Sequence, residues 1–178
     1  MKKVVLTFGL IAGAILSGMM LLAMLFHDQI GFDRAEIIGY TTMVLAFLMV
    51  FFGVKSYRDN VAGGSVTFGR ALKVGLLITL VASVCYVATW QLVYYQLVPD
   101  FVEKYAAHAI DQARESGASE TEIADTGRKM ADFREMYRNP VANVALALLE
   151  PLPIGILFTL VTAAGLSRRQ KAKDALVT

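Results

Sequence analysis

The amino-acid sequence predicts an all-α membrane protein: four transmembrane helices, with an extracytoplasmic amphipathic helical hairpin between the third and the fourth. Three observations carry this expectation. Four apolar runs are each long enough to cross a bilayer. The charges between the runs alternate in sign bias. The one long connection repeats its apolar residues at the spacing of a surface helix.

Residues 4–26 contain no charged side chain over 23 positions, 37–54 none over 18 and 74–98 none over 25. Residues 141–166 are apolar apart from Asn143 and Glu150. Crossing about 30 Å of hydrocarbon takes roughly 20 helical residues at 1.5 Å each, so every run suffices. Spans are expected at about 4–26, 35–56, 70–98 and 140–166, with the hairpin at about 99–139. The chain is 56% hydrophobic, and four spans leave no room for a separate soluble enzyme domain. The single cysteine, Cys85, falls inside the third run, so it has no internal disulfide partner and indicates no redox compartment.

Lys2 and Lys3 before the first run resemble a charged leader. The apolar stretch is longer than the usual 7–15 residues or so of a signal peptide, and no small-x-small cleavage site follows, so an uncleaved span is expected. For the second span, Asp33 and Glu36 have the spacing of a capping box, with Phe32 and Ile37 as its hydrophobic staple, predicting a start near Arg34. In the third span, Trp90, Tyr94 and Tyr95 are expected near the outer interface. Small residues recur every four positions at Gly9, Gly13 and Ser17, and again at Ala71, Gly75, Thr79 and Ser83. Such stripes let helices approach closely in lipid, and packing within one bundle is the simpler reading beside a homo-oligomer interface.

Beyond the third span, Phe101, Val102, Tyr105 and Ala109 keep helical spacing, so that span is expected to continue outward as an amphipathic helix to about Ser116, where Gly117 breaks it. Ser119 and Glu122 then form a second capping box, and Ile123, Met130, Phe133 and Tyr137 trace one face of a second helix. The pair either buries its own apolar stripes or offers a docking surface to a membrane or periplasmic protein. Asn139-Pro140 supplies an N-cap and a first-turn proline for the fourth span.

Basic residues fix the orientation. Lys2 and Lys3 lead the chain, and Lys55, Arg58, Arg70 and Lys73 stand against Asp59 in the second connection. Arg168, Arg169, Lys171 and Lys173 stand against Asp174 in the tail. The first connection has Arg34 against Asp28, Asp33 and Glu36, and the third has six bases against nine acids. Basic residues near span ends are retained in the cytoplasm, so both termini and the second connection are expected inside. The lipid bilayer is the first partner, with anionic head groups at the basic connection.

Glu150 is the leading candidate for function, because a carboxylate within a span is costly and is usually retained for a reason. Counted back from Leu166 it lies roughly 24 Å from the inner edge, in the outer part of the bilayer. Pro151 and Pro153 follow at once and remove two helical N–H donors, which predicts a kink. Asn143 shares the face of Glu150, with Ala147 between them. This polar stripe could bind an ion, relay protons or receive a polar lipid group. The competing reading is a structural carboxylate bonded to Gln91, Tyr94 or Thr42.

Other chemistry finds little support. His27-Asp28, and His108 with Asp111, lack a third ligand at metal-binding spacing, and the second pair reads as solvated. Gly63-Gly64-Ser65 lacks the Gly-Lys-Ser/Thr ending of a phosphate loop, and no nucleophile elbow or zinc signature is present. No catalytic residue, cofactor, metal or nucleic-acid partner is therefore expected.

The second connection carries a resemblance. Lys55-Ser56-Tyr57-Arg58-Asp59-Asn60, followed by Gly63-Gly64-Ser65-Val66-Thr67-Phe68-Gly69-Arg70-Ala71-Leu72-Lys73-Val74-Gly75, is similar to the pattern of a bacterial family, domain of unknown function 4199 (DUF4199). Glu150-Pro151-x-Pro153-x-Gly155 resembles that family's last helix. The resemblance implies a small four-span inner-membrane protein with no assigned activity and no catalytic residues to transfer. Physically, Asn60, Gly63 and Gly64 suit a tight turn, and Phe68, Ala71, Leu72 and Gly75 form an apolar face leading an interfacial helix into the third span. Arg58, Arg70 and Lys73 belong at head-group level. This segment either fixes the second span against the third or serves a cytoplasmic partner.

Two functions follow from these residues. The first is a non-enzymatic accessory or scaffold protein acting through a protein partner or lipids. The alternative is a small transporter or ion/proton-coupled carrier using Glu150. A cavity reaching Glu150 would separate them.

Overall fold

The computed structural model describes the backbone of residues 1–174, with all side chains there except those of His27, Asp28 and 168–174. The basic tail and the His27-Asp28 pair considered above thus lie outside the described side chains. Eight α-helices follow in order among the described residues: α1 (Lys2–Leu25), α2 (His27–Ile30), α3 (Phe32–Asn60), α4 (Phe68–Leu92), α5 (Phe101–Glu115), α6 (Glu120–Arg138), α7 (Pro140–Leu149) and α8 (Pro151–Asp174). A π-helical turn, Val93–Leu97, extends α4. Four helical segments are long and apolar enough to cross a membrane: Lys2–Leu25, Phe32–Asn60, Phe68–Leu97 and Pro140–Ser167.

α4 is the central element, packed against α1, α3, α7 and α8. Small residues make this possible. A Cβ added at Gly13 would lie 2.7 Å from Cys85 Cβ, and one at Gly9 would lie 2.7 Å from Val81 Cβ. Gly75 meets Thr159 in the same way, and Gly155 meets Thr79 and Phe47. Both small-residue stripes are therefore occupied by contacts inside this bundle. Lipid tails are as apolar as leucine, so close backbone approach and buried hydrogen bonds do the joining. Thr79 Oγ1 donates to Gly155 O at 3.3 Å and lies 3.2 Å from Thr159 Oγ1, which ties α4 to α8. Around this crossing Phe47, Val50, Val54, Val74 and Ile78 are at most 1% exposed. Outward-facing apolar residues balance that core: Leu10, Leu45, Leu80, Val84, Leu157 and Val161 are each at least half exposed. Such a collar is unfavourable in water and natural in hydrocarbon.

The ends of the elements test the expected local chemistry. Asn139 Oδ1 accepts from Val141 N at 2.9 Å and Ala142 N at 3.3 Å, with Pro140 in the first turn. Ser119 and Glu122 form the full reciprocal box at the start of α6. The box at Asp33 and Glu36 does not form: α3 begins at Phe32 behind Gly31 (φ 75°), with no side-chain cap. Asp33 is already inside the helix and is used by α5 instead, while Ile37 is exposed and makes no staple. Nor does the third span run on as one helix to Ser116. The π turn closes with Val98 N donating to Val93 O at 2.8 Å, and Val98, before Pro99, leaves the helical region (φ −137°, ψ 68°). The chain then turns and α5 starts afresh, ending where Gly117 adopts φ 77°. α5 and α6 pack on one another, with Tyr105 and Phe133 in ring contact.

Candidate functional site

The helix of the last span is interrupted at Glu150, between α7 and α8. Pro151 and Pro153 cannot donate to the turn before them, so the chain restarts here, and Glu150 is placed where the backbone is already irregular. Its Oε2 accepts a hydrogen bond from the Tyr86 hydroxyl of α4. The sequence had suggested Gln91, Tyr94 or Thr42 as the partner. The signal for Tyr86 was present, since it lies one helical turn before Trp90 on the same stripe.

Asn143 and Glu150 share a face of α7 but have different surroundings. Asn143 has no exposed surface, and its Oδ1 accepts from Trp90 Nε1 at 3.0 Å and Gln91 Nε2 at 2.9 Å. Its amide nitrogen donates to Tyr137 O at 3.3 Å. Asn143 thus makes three of the four hydrogen bonds its side chain can form and joins α4, α6 and α7. Trp90 is correspondingly buried inside the protein, with Phe101 and Tyr137 edge-on against its ring, rather than turned outward as an interfacial anchor.

Glu150, by contrast, has open surface and lines a cavity of about 420 Å³. Six helices close around this space: α1, α3, α4, α5, α6 and α7. A second carboxylate, Glu36 of α3, opens into it, together with Tyr40, Tyr86 and Tyr137. α1 and α3 contribute Met19, Met20, Met24 and Met43. Burial, and next the Glu150 carboxylate, push the Tyr137 hydroxyl up to about 12, so it is a neutral hydrogen-bonding group at physiological pH. The margin of the cavity is fastened where α3 meets α5. Phe32 packs edge-on against Phe101 and Tyr105 and at a tilt on His108, and His108 Nε2 lies 3.1 Å from Asp33 Oδ1. Gln112 Nε2 donates to the same oxygen at 3.4 Å. His108 is therefore not paired with Asp111, which binds Arg114 at 3.0 Å. Among the described residues, no three His, Cys, Asp or Glu side chains gather as metal ligands would.

The remaining sequence candidates lie elsewhere. Pro151 is buried and Pro153 exposed. Gly63 and Gly64 lie in the α3–α4 turn, with Arg58 in the last turn of α3 and Phe68, Arg70 and Lys73 at the start of α4, all at the opposite end of those helices from the cavity. Gly63 and Gly64 have φ 69° and 87°, a conformation that L side chains avoid, so the turn needs both. Arg58 Nε binds Asp59 Oδ1 at 2.7 Å, and Thr67 caps α4 by accepting from Arg70 N at 3.4 Å. Ala71 and Gly75 are buried, but Phe68 is 44% exposed and does not extend their face. No separate interfacial helix precedes the span, because α4 runs unbroken from Phe68.

Four long apolar helices around a partly polar cavity define a multi-pass membrane protein. The chain belongs to the family described as protein of unknown function (DUF4199), whose family model matches residues 7–168. No curated protein and no solved structure matches it.

Proposed function

We propose that this protein is a non-enzymatic, solute-binding protein of the bacterial inner membrane, working as a small carrier with Glu150 as its anchoring carboxylate. Both termini and the α3–α4 turn are cytoplasmic, and α5 and α6 form a helical hairpin on the outer side. The observation that carries this reading is the 420 Å³ cavity that reaches Glu150. Its volume lies in the range of small-molecule sites, roughly 300–1,000 Å³. The core around Phe47 and Ile78 is closed, which supports a one-sided binding state rather than an open pore.

The test uses proteoliposomes loaded with a pH-sensitive dye and challenged with cationic, neutral and anionic small solutes under an imposed proton gradient. A protein-dependent flux abolished by Glu150→Gln is expected. A flux that Glu150→Gln leaves unchanged, or no flux with any solute, removes the carrier reading.

A second reading, an accessory or scaffold protein acting through a protein partner or lipids, draws on a different observation. No residue of α6 is fully buried, Phe133 and Tyr137 being half-buried, and Met136 is 46% exposed on it. Copurification at native expression that returns this chain with bulk lipid alone would count against a partner.

A further inference from the structure

We propose that the cavity selects an organic cation: a single ammonium or phosphonium-type charge carried on an apolar or aromatic body. This rests on the reading that the cavity takes a solute, and adds the class of solute.

The charge of the lining comes first. Asp33, Glu36 and Glu150 line the space, and no lysine or arginine does. His108 is the one basic-type side chain there, and it faces Asp33 at the margin. An anion entering would meet like charges at reduced dielectric, and a neutral molecule would leave the carboxylates without a counter-charge. A cation gains from both.

The shape of the donor set comes second. Small inorganic cations need several oxygens converging at short distance. Here no three His, Cys, Asp or Glu side chains gather among the described residues, and the walls around the polar groups are largely aromatic and thioether. Trp90, Phe101, Tyr105 and Phe133 are among the residues that line the space. Cations of low hydration are attracted to ring faces, which suits a charge spread over or screened by carbon. The four methionines supply a soft, adaptable surface of the kind that accepts varied apolar bodies. One carboxylate, Glu150, is fixed by Tyr86, and a second, Glu36, lines the same space from α3.

Trp90 lines the cavity and is the only tryptophan of the chain, so its emission reports on this site alone. The experiment titrates full-length protein in nonionic detergent micelles with tetraphenylphosphonium, its charge-inverted isostere tetraphenylborate, and neutral triphenylphosphine oxide. A saturable change in Trp90 emission is expected with the phosphonium only. Glu150→Gln and Glu36→Gln should each weaken it by about tenfold or more, an ion contact worth roughly 1.4 kcal/mol. Glu36 accepts no hydrogen bond from Tyr86 and is exposed on α3, so its variant keeps the test decisive if Glu150→Gln fails to fold. Equal response to all three probes, or affinity for the phosphonium unchanged in both variants, would overturn the cation assignment while leaving a solute cavity in place. No response to any probe would overturn the assignment and the solute-binding reading together.

Discussion

Asn143 and Glu150 are both polar residues in a mostly apolar helix, and they do opposite jobs. The Asn143 amide is surrounded by partners it can satisfy, whereas Glu150 has one partner and an open side. Asn143→Ala should leave the Trp90 and Gln91 donors without their acceptor, at a position where Asn143 itself has no exposed surface. That loss should cost about 1–3 kcal/mol, seen as a lower unfolding midpoint in mixed micelles and a shifted Trp90 emission. A midpoint unchanged within error would mean that water or another side chain reaches those donors. Spacing alone could put both residues on one face of a helix. It could not tell which was enclosed, because that depends on where α4 and α6 lie.

Three helix starts carried recognisable signals, and two of them formed. Ser119 with Glu122, and Asn139 with Pro140, cap their helices as local chemistry dictates, since each arrangement lies within four residues. The Asp33 and Glu36 pattern is the same chemistry with a different outcome, because Gly31 opens the helix earlier and His108 and Gln112 engage Asp33 from α5. A long-range partner displaced a local one. The Ser119–Glu122 box also predicts a pH effect. Hydrogen bonds from the Ser119 backbone N–H and hydroxyl hold the Glu122 carboxyl below its ordinary value of 4.5. A depressed folded value means the box stabilises α6 fully above the unfolded pKa and loses that contribution as pH falls through the folded one. Hydrogen exchange of α6 amides should therefore show a constant protection difference between wild type and Glu122→Gln near neutrality. The difference should shrink below about pH 4.3, the usual unfolded glutamate value. A difference that ignores pH would show that the charge on Glu122 is not what binds the cap.

At the scale of the molecule, the proposed orientation follows from retention of Lys and Arg on the cytoplasmic side. It is checked by labelling intact cells with a membrane-impermeant maleimide in a Cys85→Ala background. A cysteine at Ala118, in the α5–α6 turn, should label at once, and one at Ser65 should label only after permeabilisation. The reverse pattern would invert the topology, place the Glu150 cavity on the cytoplasmic side and require the carrier reading to be redrawn.

The number of long apolar helices was legible in the chain itself, because the cost of leaving charges or backbone polar groups in hydrocarbon is set by composition over about 20 residues. The tight turn at Gly63-Gly64 and the break before Pro151 were legible for the same local reason. The Tyr86 partner of Glu150, the convergence of Glu36 upon the same space, and the bond from Asp33 to α5 were decided only in three dimensions. Each joins residues more than 60 positions apart, and which helix faces meet is settled by the small-residue crossings of α4 with α1 and α8. Those crossings position six elements around a gap that no one segment encodes.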